Sequence, residues 1–403
     1  MAAVQTIVIA GAGQAGGRAA EALRAAGFAG AITMVGAEPH APYERPQLSK
    51  QFLNAPAAEV AYLKGDGQWR DDLGVDLVTG AALTAGDAAR RVVADGEGRE
   101  YRYDRLLIAT GTVARELPLL AAAGTKVHTL RSIEDAARLR PHLHARARVV
   151  VIGGGVIGLE AASAAAKLGC EVDVVEAAPH LLARAFPKII SDVVEARHRA
   201  AGVRFHFGAT VKAATAAGVE LDNGARLAAD IILVGVGVDP APGLAQALGL
   251  AADGGIAVDA CGATAIEGIS CAGDIALQWS PWHGRRMRIE TWANAQNQAI
   301  ATARNMVGEP RAYTDPPWFW TDQYDLNIQV VGDLAAADLV VRGAPEGGRF
   351  SVGALRDGEL VGAVAVNAAK DMASFRRLVA AHAKLAPTDL ASPNFDLRKA
   401  MAS

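Results

Sequence analysis

Two short glycine runs constrain this chain more than anything else in it. "IVIAGAGQAGG" sets Gly11, Gly13 and Gly16 at the end of one apolar run, and "VVVIGGGVIGLE" sets Gly153, Gly155 and Gly158 at the end of another. Each run is short and continuously apolar, as a strand buried on both faces of a parallel sheet must be, and each leads through its glycines into an alanine-rich helical pattern. A helix start exposes unsatisfied N–H groups and partial positive charge, which a pyrophosphate satisfies. Glycine is needed where the backbone turns sharply and where a phosphate approaches. An acidic residue follows the next strand in both copies: Glu38 after "ITMVG" and Glu176 after "VDVV". A carboxylate there accepts ribose hydroxyls and repels a 2′-phosphate. Glu176 is followed by "AAPH", with no arginine before Arg184, so the second site is expected to prefer NADH to NADPH. One G-x-G-x-x-G alone is equally a βα turn without ligand; the full strand–turn–helix–strand–acid context, met twice, predicts two dinucleotide sites.

FAD with NADH is the economical pair, because hydride passes from nicotinamide C4 to flavin N5. The first cradle is expected to hold FAD and the second NADH. The chain has 403 residues, 51% of them apolar, enough for two or three domains with sizeable cores. A net charge of −3 supplies no basic field for nucleic acid. Cys170, Cys261 and Cys271 make no C-x-x-C, so a dithiol, a zinc clip and a disulfide framework are unsupported and no metal is expected. No apolar run approaches the roughly 20 residues that span a bilayer. Strand-like sequence begins by Val4, which argues against a signal peptide. A soluble cytoplasmic protein, monomer or homodimer, without nucleic-acid or membrane partners, is the expectation.

The pattern strand, glycine turn, helix, strand runs from Val4 and closes at "YDRLLIATG"; it repeats from Ser132 and closes at "DIILVGVGVDP". "GISCAGDIA" reads as a further buried strand ending at Asp274, and "TWANAQNQAIATARNMVG" as a helix stopped by Gly308. Beyond Pro316 apolar and polar residues alternate, with a "DG" hairpin at Asp357–Gly358, and then Met372, Phe375, Leu378 and Val379 recur at helical spacing. The predicted fold is α/β. It has a discontinuous FAD-binding Rossmann-like domain over 1–111 and 246–317, an NADH-binding one over 112–245, and a small α+β C-terminal domain over 318–403.

These stretches resemble two-dinucleotide flavoprotein reductases of the glutathione-reductase superfamily. Within it, they resemble the ferredoxin reductase components of aromatic-ring dioxygenase and bacterial cytochrome P450 systems. "YERPQLSK", "LLIATGT", "IGGGVIGLE" and "CAGDIA" carry the superfamily likeness; "RIETWANAQNQA" and "PPWFWTDQYD" resemble the reductase of the biphenyl dioxygenase type. The resemblance implies that Arg45, Lys50 and Arg131 contact FAD, with Lys50 stabilising the reduced ring, and that Asp274 binds the ribityl chain. It puts Glu160 near the nicotinamide, Glu290 and Trp292 along the cleft, and Trp318 and Trp320 beside the isoalloxazine. On the residues alone, Arg45 and Lys50 are as well read as solvated loop cations, Glu160 as an ordinary helix acid and the tryptophans as core. The family often has an acid where this chain has Ala37, which moves the first ribose role to Glu38.

The implied activity is that of an NADH-dependent reductase: hydride from NADH to FAD, then single electrons to a 2Fe–2S ferredoxin serving a terminal oxygenase. Lys50, Glu160 and Trp320 are the residues expected to tune or carry it, by aligning rings and charge rather than by acid–base steps. No cysteine lies near Ala41–Tyr43, against thiol-dependent oxidase chemistry. A rubredoxin reductase, an NADH oxidase-like enzyme and a redox sensor like apoptosis-inducing factor are the alternatives. An acidic ferredoxin would need a basic face, for which Arg285, Arg286 and Arg288 are candidates, extended by Arg304 and Arg311.

Overall fold

The computed structural model describes residues 4–55, 58–65, 67–250, 254–308, 310–335 and 337–400. They form two compact units: Met1–Glu44 with Ala61–Val113 and Asp239–Trp318, and Arg45–Val60 with Ala114–Val238 and Phe319–Ser403.

The chain opens in the first unit with β1 (Thr6–Ala10), α1 (Gln14–Ala25), β2 (Ala31–Val35) and β3 (Val75–Val78); an antiparallel three-stranded meander over residues 83–102 precedes β4 (Arg105–Ile108). It continues in the second unit with β5 (Val127–His128), β6 (Arg148–Ile152), α2 (Val156–Lys167), β7 (Glu171–Glu176), α3 (Lys188–Ala200) and β8 (Arg204–Phe207). A second meander over residues 211–228 then precedes β9 (Ile231–Val234). The chain returns to the first unit for β10 (Ile269–Cys271) and α4 (Trp292–Val307).

The two units thus repeat one plan. The first parallel sheet has the order β10-β4-β1-β2-β3 and the second β8-β7-β6-β9-β5. The central strands β1 and β6 are buried along nearly their whole length, which explains their uninterrupted apolar sequence. Ala19 and Leu23 of α1 and Ala295, Ala299 and Ala303 of α4 pack with Ile7, Ile9 and Met34 on one face of the first sheet. On the other face, Val8 and Leu106 pack with Val93 and Tyr101 of the meander.

The last segment is a five-stranded antiparallel sheet, β11 (Trp318–Gln323), β12 (Leu326–Gly332), β13 (Asp338–Ala344), β14 (Arg349–Arg356) and β15 (Glu359–Val366), in the order β11-β12-β15-β14-β13, followed by α5 (Ala369–Ala380). Asp357 and Gly358 have φ of 52° and 78°, the paired positive values that a tight "DG" hairpin requires. Met372, Phe375, Leu378 and Val379 form the buried face of α5, as their spacing predicts. Leu159 of α2 and Ile190 and Val194 of α3 share a core with Ile328, Val352 and Val364 of this sheet. The mixed α/β class, with two parallel dinucleotide-type sheets and a C-terminal antiparallel one, agrees with the sequence. The two meanders and the 3-10 turn at Arg45–Gln47 were not legible in it.

The dinucleotide cradles and the Lys50–Glu160 cluster

Each glycine turn joins the end of a central strand to a helix. Gly13 and Gly155 are the N-caps of α1 and α2, and neither helix has a side-chain cap or an acid in its first turn. Two other helix starts are capped by side chains, Ser132 in a reciprocal capping box and Thr291 on α4, whereas α3 is uncapped like α1 and α2. What sets α1 and α2 apart is a glycine N-cap directly after a central parallel strand, which suits their first N–H groups to an anion. The glycines serve different needs. Gly11 has φ +117°, and a Cβ there would collide with the carbonyl oxygen of Ala109; one at Gly158 would collide with that of Gly153. A Cβ at Gly155 would meet nothing within 4 Å. The first and third glycines thus let strand, turn and helix meet, and in the second cradle the middle one leaves open approach to the amides of α2. The residues present fit a dinucleotide pyrophosphate in both units.

Beyond the turns the two cradles diverge. Gly11 N–H donates to Val35 O and Gly153 N–H to Val175 O, which sets the two turns in the same register. Glu176 follows Val175 directly, and its carboxylate accepts from Gly154 N–H at 2.6 Å and Ala178 N–H at 2.7 Å. At the corresponding place the first unit has Gly36, where a Cβ would lie 2.5 Å from that of Ala12. Glu38 stands two residues further on and accepts from the Tyr43 hydroxyl at 2.6 Å.

Within the first unit, Thr112 Oγ1 lies 3.5 Å from Asp274 Oδ2. The turn before Asp274 is held by a closed amide network that sequence reading missed. Gly273 N–H donates to Gln298 Oε1 at 2.9 Å, Gln298 Nε2 to Gln278 Oε1, and Gln278 Nε2 to Asn294 Oδ1; all three side chains are buried. The only signal was the polar spacing Asn294–Gln298 inside an otherwise buried helix face. Trp292 Nε1 donates to Glu44 Oε2 at 2.6 Å. Glu290 pairs with Arg288 at 2.7 Å, so Arg288 does not share the solvent-facing role expected for it beside Arg285 and Arg286. Arg285 and Arg286 lie exposed on the hairpin strand Arg285–Met287, and Arg286 stands opposite Trp279, which is 53% exposed. Arg304 and Arg311 are exposed as well.

Within the second unit Lys50 and Trp320 gather at Glu160. It lies in the second turn of α2, not the first, and is 3% exposed. Lys50 Nζ pairs with it at 3.0 Å and stands 5.6 Å from the ring centre of Trp320, a cation–π distance. Lys50 is thus a half-buried cation paired to a buried carboxylate, which neither a solvated loop cation nor a plain helix acid would be. The hydroxyls of Ser49 and Thr321 also donate to Glu160, the latter at 2.7 Å. Trp320 Nε1 donates to Asp322 at 3.1 Å. Arg45 donates to the carbonyl of Arg131 at 2.8 Å, which brings those two expected residues together. Trp318 lies at the start of β11 and is half-buried.

All three cysteines are free. Among the described residues no group of side chains suits a metal ion, and no helix is long and apolar enough to cross a membrane.

Known proteins share this plan along their whole length. The family described as pyridine nucleotide-disulphide oxidoreductase matches residues 5–299, and the one described as reductase C-terminal matches 318–401. The ferredoxin--NAD(+) reductase component of the p-cumate 2,3-dioxygenase system of Pseudomonas putida is 41% identical, over 98% of each chain. Rhodocoxin reductase of Rhodococcus erythropolis is 38% identical, over 98% of this chain and 94% of that one. The crystal structure of the ferredoxin reductase for the CYP199A2 system from Rhodopseudomonas palustris superposes with a TM-score of 0.94 at 36% identity, covering 98% of this chain and 99% of the other. Putidaredoxin reductase, in its covalent complex with putidaredoxin, gives 0.94 at 33% identity, covering 99% of both. The chain belongs to the pyridine nucleotide-disulphide oxidoreductase family and carries a reductase C-terminal domain.

Proposed function

We propose that this protein is an FAD-dependent NADH:ferredoxin reductase that feeds a terminal oxygenase, either a Rieske dioxygenase or a P450. The observation that carries the reading is the second cradle, uncapped at α2 and braced by Glu176, on a chain whose first unit repeats the same turn. The relatives' names support it: each reported one is a ferredoxin or rhodocoxin reductase, or is joined to putidaredoxin.

In this reading FAD belongs to the domain formed by 1–111 and 246–317, NADH to 112–245, and the C-terminal domain is 318–403. FAD, when bound, accepts hydride from NADH and releases electrons singly. The chain's own residues bind and orient. Gly11, Gly13, Gly16 and Glu38 hold the FAD pyrophosphate and ribose, with Asp274 on the ribityl chain and Arg45, Arg131, Glu290, Trp292, Trp318 and Trp320 as further contacts. Gly153, Gly155, Gly158 and Glu176 hold NADH. Glu160 orients the nicotinamide, and Lys50 places positive charge for the flavin. With no dithiol to receive electrons, they leave to an outside carrier. An acidic ferredoxin docks on Arg285 and Arg286, with the exposed Trp279 directly across the hairpin from Arg286, an arginine–tryptophan pairing typical of binding hot spots.

Anaerobic stopped-flow mixing of holoenzyme with NADH tests the reading. Flavin bleaching within milliseconds, followed by ferredoxin-dependent cytochrome c reduction, is expected. Slow reduction into a long-lived charge-transfer complex identifies a redox sensor instead.

A further inference from the structure

Glu160 is the end point of a chain of buried hydrogen bonds that extends well beyond Lys50. Thr321 Oγ1 lies 2.7 Å from Glu160 Oε1, Gln323 Nε2 lies 3.1 Å from Thr321 Oγ1, and His198 Nε2 lies 2.8 Å from Gln323 Oε1. Tyr324 Oη lies 3.3 Å from His198 Nδ1. Thr321, Gln323 and His198 are each at most 1% exposed. All these atoms belong to the second unit, and they link α2, α3 and β11.

The chemistry of the groups permits only one direction along this chain. A carboxylate paired with an ammonium can only accept, so the Thr321 hydroxyl donates to it. The Thr321 oxygen then accepts from the Gln323 amide, which turns the Gln323 carbonyl toward His198. That carbonyl requires a proton on His198 Nε2, so Nδ1 is the acceptor, and the Tyr324 hydroxyl donates to it. A neutral imidazole is required, and burial supplies one by pushing the His198 pKa down to about 4. Tyr324 is itself fixed: its φ is +56°, its N–H donates to Ser163 on α2, and Arg197 stacks 4.2 Å from its ring centre. A one-way chain of this kind polarises each member in turn and leaves its terminal acceptor a single orientation.

We propose that Thr321, Gln323 and His198 are positioning residues for the nicotinamide step, holding the Glu160 carboxylate, and through it Lys50, in one orientation. This rests on the reading that Glu160 stands at the nicotinamide. The chain gives β11 a task in the reaction besides carrying tryptophans.

The test uses holoenzyme with Thr321→Val, Thr321→Ser and Gln323→Met, each also combined with Glu160→Gln. The readouts are the NAD+ dissociation constant by calorimetry, the rate constant of flavin bleaching by NADH, and the melting temperature. Thr321→Val and Gln323→Met are expected to weaken NAD+ binding or slow bleaching about tenfold, the size of one hydrogen bond to a charged group. Thr321→Ser, which keeps the hydroxyl, returns most of the loss. In the Glu160→Gln background the losses shrink to less than about twofold, because the charge being oriented is gone. The proposal is overturned if the two apolar variants lower only the melting temperature, or if their losses are the same in both backgrounds. Should Thr321→Val not fold, Gln323→Met, one bond further from the carboxylate, carries the same comparison. If Glu160→Gln alone changes neither binding nor bleaching, the nicotinamide role of Glu160 is wrong, and the chain's role in that step falls with it.

Discussion

Glu176 braces a turn at the place where the proposed reading needs a carboxylate to choose the nucleotide. Each of its oxygens already accepts one backbone N–H, from Gly154 and from Ala178. A carboxylate offers about four lone-pair sites, so two remain for ribose hydroxyls. The same charge disfavours a 2′-phosphate. Replacing Glu176 by alanine and Ala177 by arginine is expected to lower the kcat/KM preference for NADH over NADPH by roughly ten- to a hundredfold, the worth of one or two charge-assisted bonds. Glu176→Gln separates the charge from the bracing of Gly154, since an amide oxygen still accepts one of the two backbone bonds. Steady-state kinetics with both nucleotides decide it: an unchanged preference removes the NADH assignment of the second cradle. In the first cradle Gly36 occupies the corresponding place, and a side chain there would press on Ala12. In the proposed reading the acidic role therefore falls to Glu38 in the following loop, which accepts from Tyr43.

Among the elements, α3 links the fold's stability to pH through His198. The ring is fully buried and its pKa falls from 6.5 to about 4, chiefly by loss of solvation. A depressed histidine is neutral in the native state while the unfolded chain binds a proton below pH 6.5. Its contribution is complete above that value and is lost as pH falls toward 4. Between pH 7 and 5 this group alone removes about 2 kcal/mol. Urea unfolding at the two pH values measures it, and His198→Gln should flatten that part of the profile; an unchanged slope would show that the ring is not held neutral. Nothing local in "VVEARHRA" announces this, because the burial comes from β11, more than a hundred residues away. The same reason separates what could be read from what could not. Gly11, Gly153 and the "DG" turn are legible because glycine meets a demand set by its immediate backbone. The spacing of Met372, Phe375, Leu378 and Val379 is legible because a helix repeats locally. Ser49 and Thr321 meeting Glu160, and Gln278 closing its network with Gln298, depend on tertiary pairing. The meanders also escape, since short half-exposed strands carry little periodic signal.

For the molecule as a whole, charge decides how a partner could be found. A formal net charge of −3 gives no global attraction for an acidic ferredoxin. Any steering must then come from a local basic face, and one of its candidate arginines is withdrawn into an ion pair. Arg288 is tied to Glu290, and Arg286 donates one bond to the carbonyl of Val258 while remaining exposed. On the hairpin that leaves Arg285 and the outer part of Arg286, with Trp279 opposite Arg286, as a small patch in which apolar contact and charge coincide; Arg304 and Arg311 are exposed elsewhere in the first unit. Such a patch should give an on-rate that depends on salt only modestly, because few charges act, and an affinity that depends strongly on the tryptophan. Arg285→Glu with Arg286→Glu is expected to raise the KM for ferredoxin about tenfold at low ionic strength and less at high. Trp279→Ala is expected to raise it at both. Ferricyanide, which needs no protein docking, should be reduced at the parent rate by all of these variants. If ferricyanide and ferredoxin reduction fall together, the hairpin supports the fold of the first unit rather than a partner, and the docking face lies elsewhere.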